Sequence, residues 1–173
     1  MIPIAVLDAC VLYPSPLRDF LVRAAIEELF LGRWSERILD ETFRSIGRHQ
    51  PDIDPTRLRR TRSLMCAAVL DCLVEGHEDL EGAILLPDPD DRHVVAAAVK
   101  AGAGLIVTFN LRDFPDAELA RHGLTALHPD LFASELFMRR PAAVVDVLRT
   151  HASSSNSGRP GSRNSGRSAP EAP

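Results

Sequence analysis

An uninterrupted apolar run, IPIAVL at residues 2–7, ends abruptly in Asp8, and a second run, GLIVTFN at 104–110, is followed closely by Asp113. Short apolar segments with no polar alternation suit strands buried on both faces, the condition of a parallel sheet. Parallel strands cannot be joined by hairpins, so helices must run between them. In an open parallel sheet the ligand crevice lies beyond the carboxyl ends of the strands, where these acids fall.

The intervening sequence supplies the helices. Pro14 and Pro16 break the chain, and residues 17–31 put Leu17, Phe20, Leu21, Ala24, Ala25, Glu28 and Leu31 at helical spacing. Ser35 is a candidate N-cap for a helix with Ile38, Thr42 and Ile46 on one stripe, which places Glu41 on a helix. Residues 55–74 continue the pattern through Leu58, Met65, Val69, Cys72 and Leu73, with Gly76 as a candidate stop. After Pro87-Asp88-Pro89-Asp90, a helix is expected from Asp91 through Ala101, closed by Gly102. A helix at 117–121, a strand at 123–127 and a helix at 141–148 complete the alternation. The expected fold is α/β, a three-layer α/β/α sandwich around a central parallel sheet.

Residues 152–173 are dominated by Ser, Gly, Pro and Asn, too little apolar surface to offset ordering entropy. The expected organisation is therefore one domain at 1–150 and a disordered tail at 151–173. The net charge is -4, but the tail carries Arg159, Arg163 and Arg167 against Glu171, leaving -6 on the rest. So acidic a domain is a poor general binder of nucleic acid unless a cation offsets its acids. No apolar run is long enough for a membrane span, and the N-terminus reads as a strand rather than a signal peptide. Cys10, Cys66 and Cys72 are odd in number and contain no CxxC, against disulfides or zinc and in favour of thiols packed as small hydrophobes. A cytoplasmic protein is the expectation.

Three segments bring carboxylates to one sheet edge: Asp8, the cluster Asp88, Asp90 and Asp91, and Asp113 beside Asn110. Crowded carboxylates repel, and without a cation at least one takes up a proton. An all-oxygen set suits Mg²⁺ or Mn²⁺, which can acidify a water and stabilise phosphoryl charge, a toolkit for phosphodiester hydrolysis. Each acid also has a plainer use. Asp91 could cap a helix, Asp88 and Asp90 could form turns, and Glu41 could face solvent. Asp8 is harder to set aside, since an acid at the end of a buried strand needs a partner.

VLDACVLYP around Asp8, SERILDE ending at Glu41 and LLPDPDDRHVVAAAVKAGAGLIVTFNLRDFP at 85–115 resemble the PIN domain in order and spacing. More narrowly they resemble its bacterial toxin branch, the VapC-type ribonucleases of type II toxin–antitoxin pairs, over about residues 3–149. The resemblance implies an endoribonuclease using Mg²⁺ or Mn²⁺, with catalytic acids at Asp8, Glu41, Asp91 and Asp113, of which Asp8, Asp91 and Asp113 hold the metal. Asn110 stands where some relatives have Asp, so either Asn110 or Asp113 could lie nearer the ion. Asp88, Asp90, Thr108 and Asn110 are candidates for supporting the ligands. The family further implies an RNA substrate, a cognate antitoxin and a homodimer, with Leu17, Phe20 and Leu21 either forming a partner groove or facing the sheet.

Other residues carry weaker signals. His93 reads as a surface histidine rather than a general base, Arg18 as an exposed charge or a phosphate contact, and Arg57, Arg59, Arg60 and Arg62 as a solvated face or an RNA-steering patch. A catalytically silent PIN-like RNA- or protein-binding module is the alternative function. A haloacid-dehalogenase-like phosphatase is disfavoured because Asp8-Ala9-Cys10 lacks DxDx[TV], and no phosphate-cradling glycine motif occurs.

Overall fold

The computed structural model describes residues 2–156, with side chains described through residue 150. The first apolar run is strand β1 (Ile4–Leu7), followed by a short helix α1 (Ala9–Leu12) and helix α2 (Ser15–Ile26). Strand β2 (Leu31–Arg33), helix α3 (Glu36–His49) and helix α4 (Pro55–Ala68) come next. Two 3₁₀ turns, Glu78–Ala83 and Pro89–Asp91, lead into helix α5 (Arg92–Lys100). Strand β3 (Leu105–Val107), a 3₁₀ turn (Leu111–Asp113), helix α6 (Asp116–Arg121), strand β4 (Thr125–Leu127), and helices α7 (Pro129–Arg139) and α8 (Pro141–Asn156) complete it.

All pairings are parallel, in the order β2-β1-β3-β4. The chain moves from β1 outward to β2, then crosses back over β1 to reach β3. Right-handed crossovers make that reversal put α2 and α5 on opposite faces, giving the expected α/β sandwich. Val6, Leu7, Ile106, Val107 and the Val94–Ala98 face of α5 are fully buried, each large aliphatic worth roughly 1.5–3 kcal/mol. The reversal between β1 and β3 is the switch point, and it opens a crevice at their carboxyl ends.

Five segments differ from the sequence expectation. The first long helix stops at Ile26, not residue 31: Glu28 turns into the left-handed region at φ 51°, and Leu29 N donates back to Ala24 O at 2.9 Å. This frees Leu31 to Arg33 as β2, where Gly32 lies so close to α2 that a Cβ there would stand 3.2 Å from Ala25 Cβ. The expected helix at 55–74 ends at Ala68 because Val69 is extended and Asp71 has φ 52°; Leu73 instead bridges Trp34 beside the sheet. Helices α1 and α7 had no counterpart in the reading of the sequence. The last helix runs to Asn156, past the expected boundary at 150, while the expected disordered tail from 157 onward lies outside the described residues. Among the described residues no helix is long and apolar enough to cross a membrane.

Candidate active site

Asp8 occupies the first position beyond β1, its backbone N–H donating to Val107 O of β3 at 3.1 Å, so the switch point itself fixes it. Its side chain is 5% exposed. Although it precedes α1, it makes no capping bond; Oδ2 instead accepts from Thr108 Oγ1 at 2.7 Å and from Cys10 Sγ at 3.1 Å. Two donors on one oxygen compensate the desolvation of a buried carboxylate and leave Oδ1 for a ligand. Thr108 therefore does orient an acid rather than serve only strand propensity, and it also receives Asn110 N–H at 3.0 Å.

Cys10 departs from its expected role as a small hydrophobe. Its sulfur accepts from Phe109 N–H at 3.2 Å and lies 3.3 Å from Thr108 Oγ1, joining the ends of β1 and β3. Burial, then the charge of Asp8, pushes the thiol up to about 12, so it stays protonated and acts as a hydrogen-bond donor rather than a nucleophile. Cys66 and Cys72 are also free thiols, and Cys72 is buried as expected.

Asp91 stands at the N-cap of α5 yet makes no side-chain cap bond, so the carboxylate is not used up by the helix. Its pKa is raised from 3.8 to about 6 by burial first, then by Asp8, Asp88 and Asp113. Asp88 is a turn former, accepting from Asp90 N–H at 2.9 Å, and adds charge toward Asp91. The Asp90 side chain is exposed, while its carbonyl accepts from Arg37 Nη2 at 3.1 Å and so ties the Asp-rich turn to α3. Asn110 lines the cleft; Asp113 is not part of its wall but lies near enough to act on Asp91.

Glu41 leans from α3 into the same space. His93, read from sequence as a surface residue, is instead fully buried, because α5 turns that face into the core. Its Nε2 sits 3.1 Å from Glu41 Oε1 without an aligned hydrogen bond, and its ring nitrogens have no other partner. Burial raises the Glu41 pKa, but His93 and then Arg37 outweigh it and hold the carboxyl below its ordinary value. Arg18 is not exposed either: Nη1 donates to Leu12 O at 2.8 Å and Tyr13 O at 3.1 Å, and so fixes the turn after α1. Arg62 pairs with Glu36 and Asp40, whereas Arg57, Arg59 and Arg60 are exposed.

Asp8, Cys10, Tyr13, Glu41, Thr42, Ser45, His49, Asp91 and Asn110 line one open cleft of about 460 Å³. Among the described residues no three His, Cys, Asp or Glu side chains converge as a ready-made metal cage. The donors nevertheless fit a hard divalent ion. The carboxylates and the Asn110 amide offer oxygen, Asp91 is held up by burial and then by Asp8, Asp88 and Asp113, and Mg²⁺ keeps most of its waters while taking one or two carboxylates directly.

The family model of the PIN domain matches residues 5–112, which is more than half of the chain. The chain belongs to the PIN-domain family. The match covers Asp8, Glu41, Asp91 and Asn110 and stops one residue short of Asp113. A segment of this PIN-domain chain is similar to a Mycobacterium tuberculosis protein named "Putative ribonuclease VapC50", 57% identical over 42 residues. That segment spans 24% of this chain and 25% of the relative. No solved structure gives a significant match.

Proposed function

We propose that the protein is a metal-dependent endoribonuclease that hydrolyses RNA phosphodiester bonds, and that it serves as the toxin of a type II toxin–antitoxin pair in the cytoplasm. The observation that carries the reading is the pairing of Asp8 and Asp91 in one cleft at the sheet switch point, with Asp91 raised to about 6 by burial and then by its acidic neighbours. Asp8 Oδ1 and Asp91 would hold a Mg²⁺ or Mn²⁺ ion, with Asp113 contributing charge or a water-mediated contact. When bound, that ion supplies a Lewis acid for the scissile phosphate and the attacking water.

The remaining steps belong to the chain's own groups. Thr108 and Cys10 keep Asp8 Oδ2 occupied, so the carboxylate cannot rotate away from the cleft. Glu41, ionised at neutral pH, accepts a hydrogen bond from water and orients it toward the phosphate. The Asn110 amide, just beyond the neighbouring strand β3, donates to a phosphoryl oxygen without adding charge. A cognate antitoxin and a homodimer belong to the same proposal: an Arg or Lys from the antitoxin would satisfy Asp8, Asp91 or Asp113 as the divalent ion does.

The test is cleavage of single-stranded RNA by the parent protein, Asp8→Asn and Asp91→Asn, with Mg²⁺ or Mn²⁺ and with chelator. Each substitution should lower the rate on the order of 100-fold or more in folded protein, and chelator should abolish it. Full activity in both variants would sink the proposal. Binding without cleavage by the parent would favour a silent module.

A further inference from the structure

The acidic cleft continues beyond its carboxylates. On α3 the side chains of Glu41, Ser45 and His49 recur every fourth residue and line one wall. At 1.5 Å per residue, His49 stands about 12 Å along the helix from Glu41. There the wall changes character, because Tyr13, arriving from the end of α1, meets His49 edge to face with ring centroids 5.8 Å apart and an interplanar angle of 84°. His49 Nδ1 lies 2.8 Å from the Ser45 carbonyl. A carbonyl can only accept, so Nδ1 carries the proton and the ring is oriented without any carboxylate.

The chain's one Trp and the phenylalanines 30, 114 and 132 are fully buried core residues, whereas its one Tyr is half-exposed at the rim of a polar cleft. Phe109 and Phe137 are also exposed, and Phe109 meets His128 edge to face at 5.2 Å, but among the described residues Tyr13 is the Phe, Trp or Tyr that lines this cleft. Nor does the cleft wall offer what nucleic-acid surfaces most often use: among the described residues that line it, none is Lys or Arg. Phosphate neutralisation by the wall therefore contributes nothing to holding RNA here. Ring faces and polar ring edges are what the far end of the cleft presents, and base-on-ring stacking is the sequence-tolerant way to hold an unpaired nucleotide.

We propose that Tyr13 and His49 form a nucleobase subsite that takes one unstacked base of a single-stranded RNA whose backbone runs past Asp8 and Asp91. The choice of RNA rests on the ribonuclease reading above. A duplex keeps its base faces stacked, so the subsite selects single strands. Separation from Glu41 along α3 assigns the stacked base to a nucleotide flanking the scissile phosphate.

The experiment uses the full chain and fluorescein-labelled single-stranded oligoribonucleotides, identical except for one abasic nucleotide moved stepwise along the strand. Anisotropy in Ca²⁺ reads binding, and cleavage in Mg²⁺ is read in parallel. One abasic position should weaken binding by the parent about tenfold. Tyr13→Leu should weaken the intact strand by a similar factor and be indifferent to the abasic position, while Tyr13→Phe should behave as the parent. His49→Ala, at an exposed helix end, should show the same coupling more weakly and serves if Tyr13→Leu does not fold. Independent effects of base removal and of both substitutions, or equal affinity for duplex RNA, would overturn the subsite. Cleavage with independent effects removes the subsite alone; coupled binding without cleavage upholds the subsite and removes the nuclease reading; failure to bind RNA at all removes both.

Discussion

At the scale of single residues, the cleft trades stability for charge. Asp91 has a folded pKa of about 6 against an ordinary 3.8, so the folded state binds its proton more tightly than the unfolded state does. The stability this group lends is complete below about 4 and is lost as pH rises through about 6. In chelator, the parent protein should therefore lose stability relative to Asp91→Asn between those values and be the less stable of the two at pH 7. Urea titrations of both proteins across that window check the sign, and a parent that gains on Asp91→Asn as pH rises would contradict it. Mg²⁺ at pH 7 should raise the Tm of the parent more than that of Asp91→Asn, because a ligand that binds the folded state stabilises it more the tighter it binds. His93 poses the complementary case. Removing a fully buried imidazole should cost about 2 kcal/mol or more and release Glu41. If His93 acts through Glu41, His93→Ala and Glu41→Gln should be non-additive in kcat/KM, whereas additive losses would make His93 a packing residue only. The place of Asp8 was legible because the end of a buried strand is legible. His93 was not, because a helix periodicity shows which residues share a face but not that the face bearing Asp91 at its cap also turns inward.

Helices and strands reveal where local chemistry signals fail. Runs such as IPIAVL and GLIVTFN announced β1 and β3 because nothing but a buried strand suits them, and Gly102, at φ 61°, marked the end of α5 as glycine usually does. No such mark closes α2. A glutamate, Glu28, takes the left-handed position there, so the apolar spacing through Leu31 read as continuing helix and hid β2. Asp71 plays the same part after α4, hiding the short extended stretch that reaches Trp34. The left-handed conformation costs a residue with a Cβ about 1 kcal/mol or more, against a somewhat smaller entropy cost for glycine. Glu28→Gly should accordingly leave the fold unchanged and stabilise it by a few tenths of a kcal/mol, measured by chemical denaturation; a clear loss would show that the Glu28 side chain matters beyond its backbone angle. The turn at Glu28 matters for the site. By ending α2 early it lets β2 pair with β1, and that pairing makes β1 a central strand whose end, Asp8, is shielded on both sides.

The whole molecule sets a condition on any RNA it meets: the net charge is -4 with the C-terminal segment and -6 without it. Its cleft is lined by Asp8, Glu41 and Asp91 and by no Lys or Arg among the described residues, the arginines at 57, 59 and 60 are exposed elsewhere on α4, and Arg62 is engaged by Glu36 and Asp40. Leu21 is buried and Leu17 packs against the core, whereas Phe20, half-buried, also lines an open apolar groove with Phe137, Met138 and Leu148. Long-range attraction must therefore come from exposed basic residues outside the cleft wall, among them Arg44, Arg48 and Arg112 as well as those of α4, together with Arg159, Arg163 and Arg167, while a divalent ion screens the cleft. The arginines of the tail can be separated from the fold by truncation after residue 156, which leaves α8 whole. Since the removed segment has almost no apolar side chain to bury, the Tm should not change within error. RNA affinity at low salt should fall, and because each phosphate contact on a single strand adds about 0.7 to the slope of log affinity against log salt, losing three arginines should flatten that slope by up to about 2. A lower Tm would mean that the segment packs on the domain. An unchanged slope would mean that its arginines never reach the phosphates, and would leave the exposed basic residues of the domain to draw RNA to an acidic cleft.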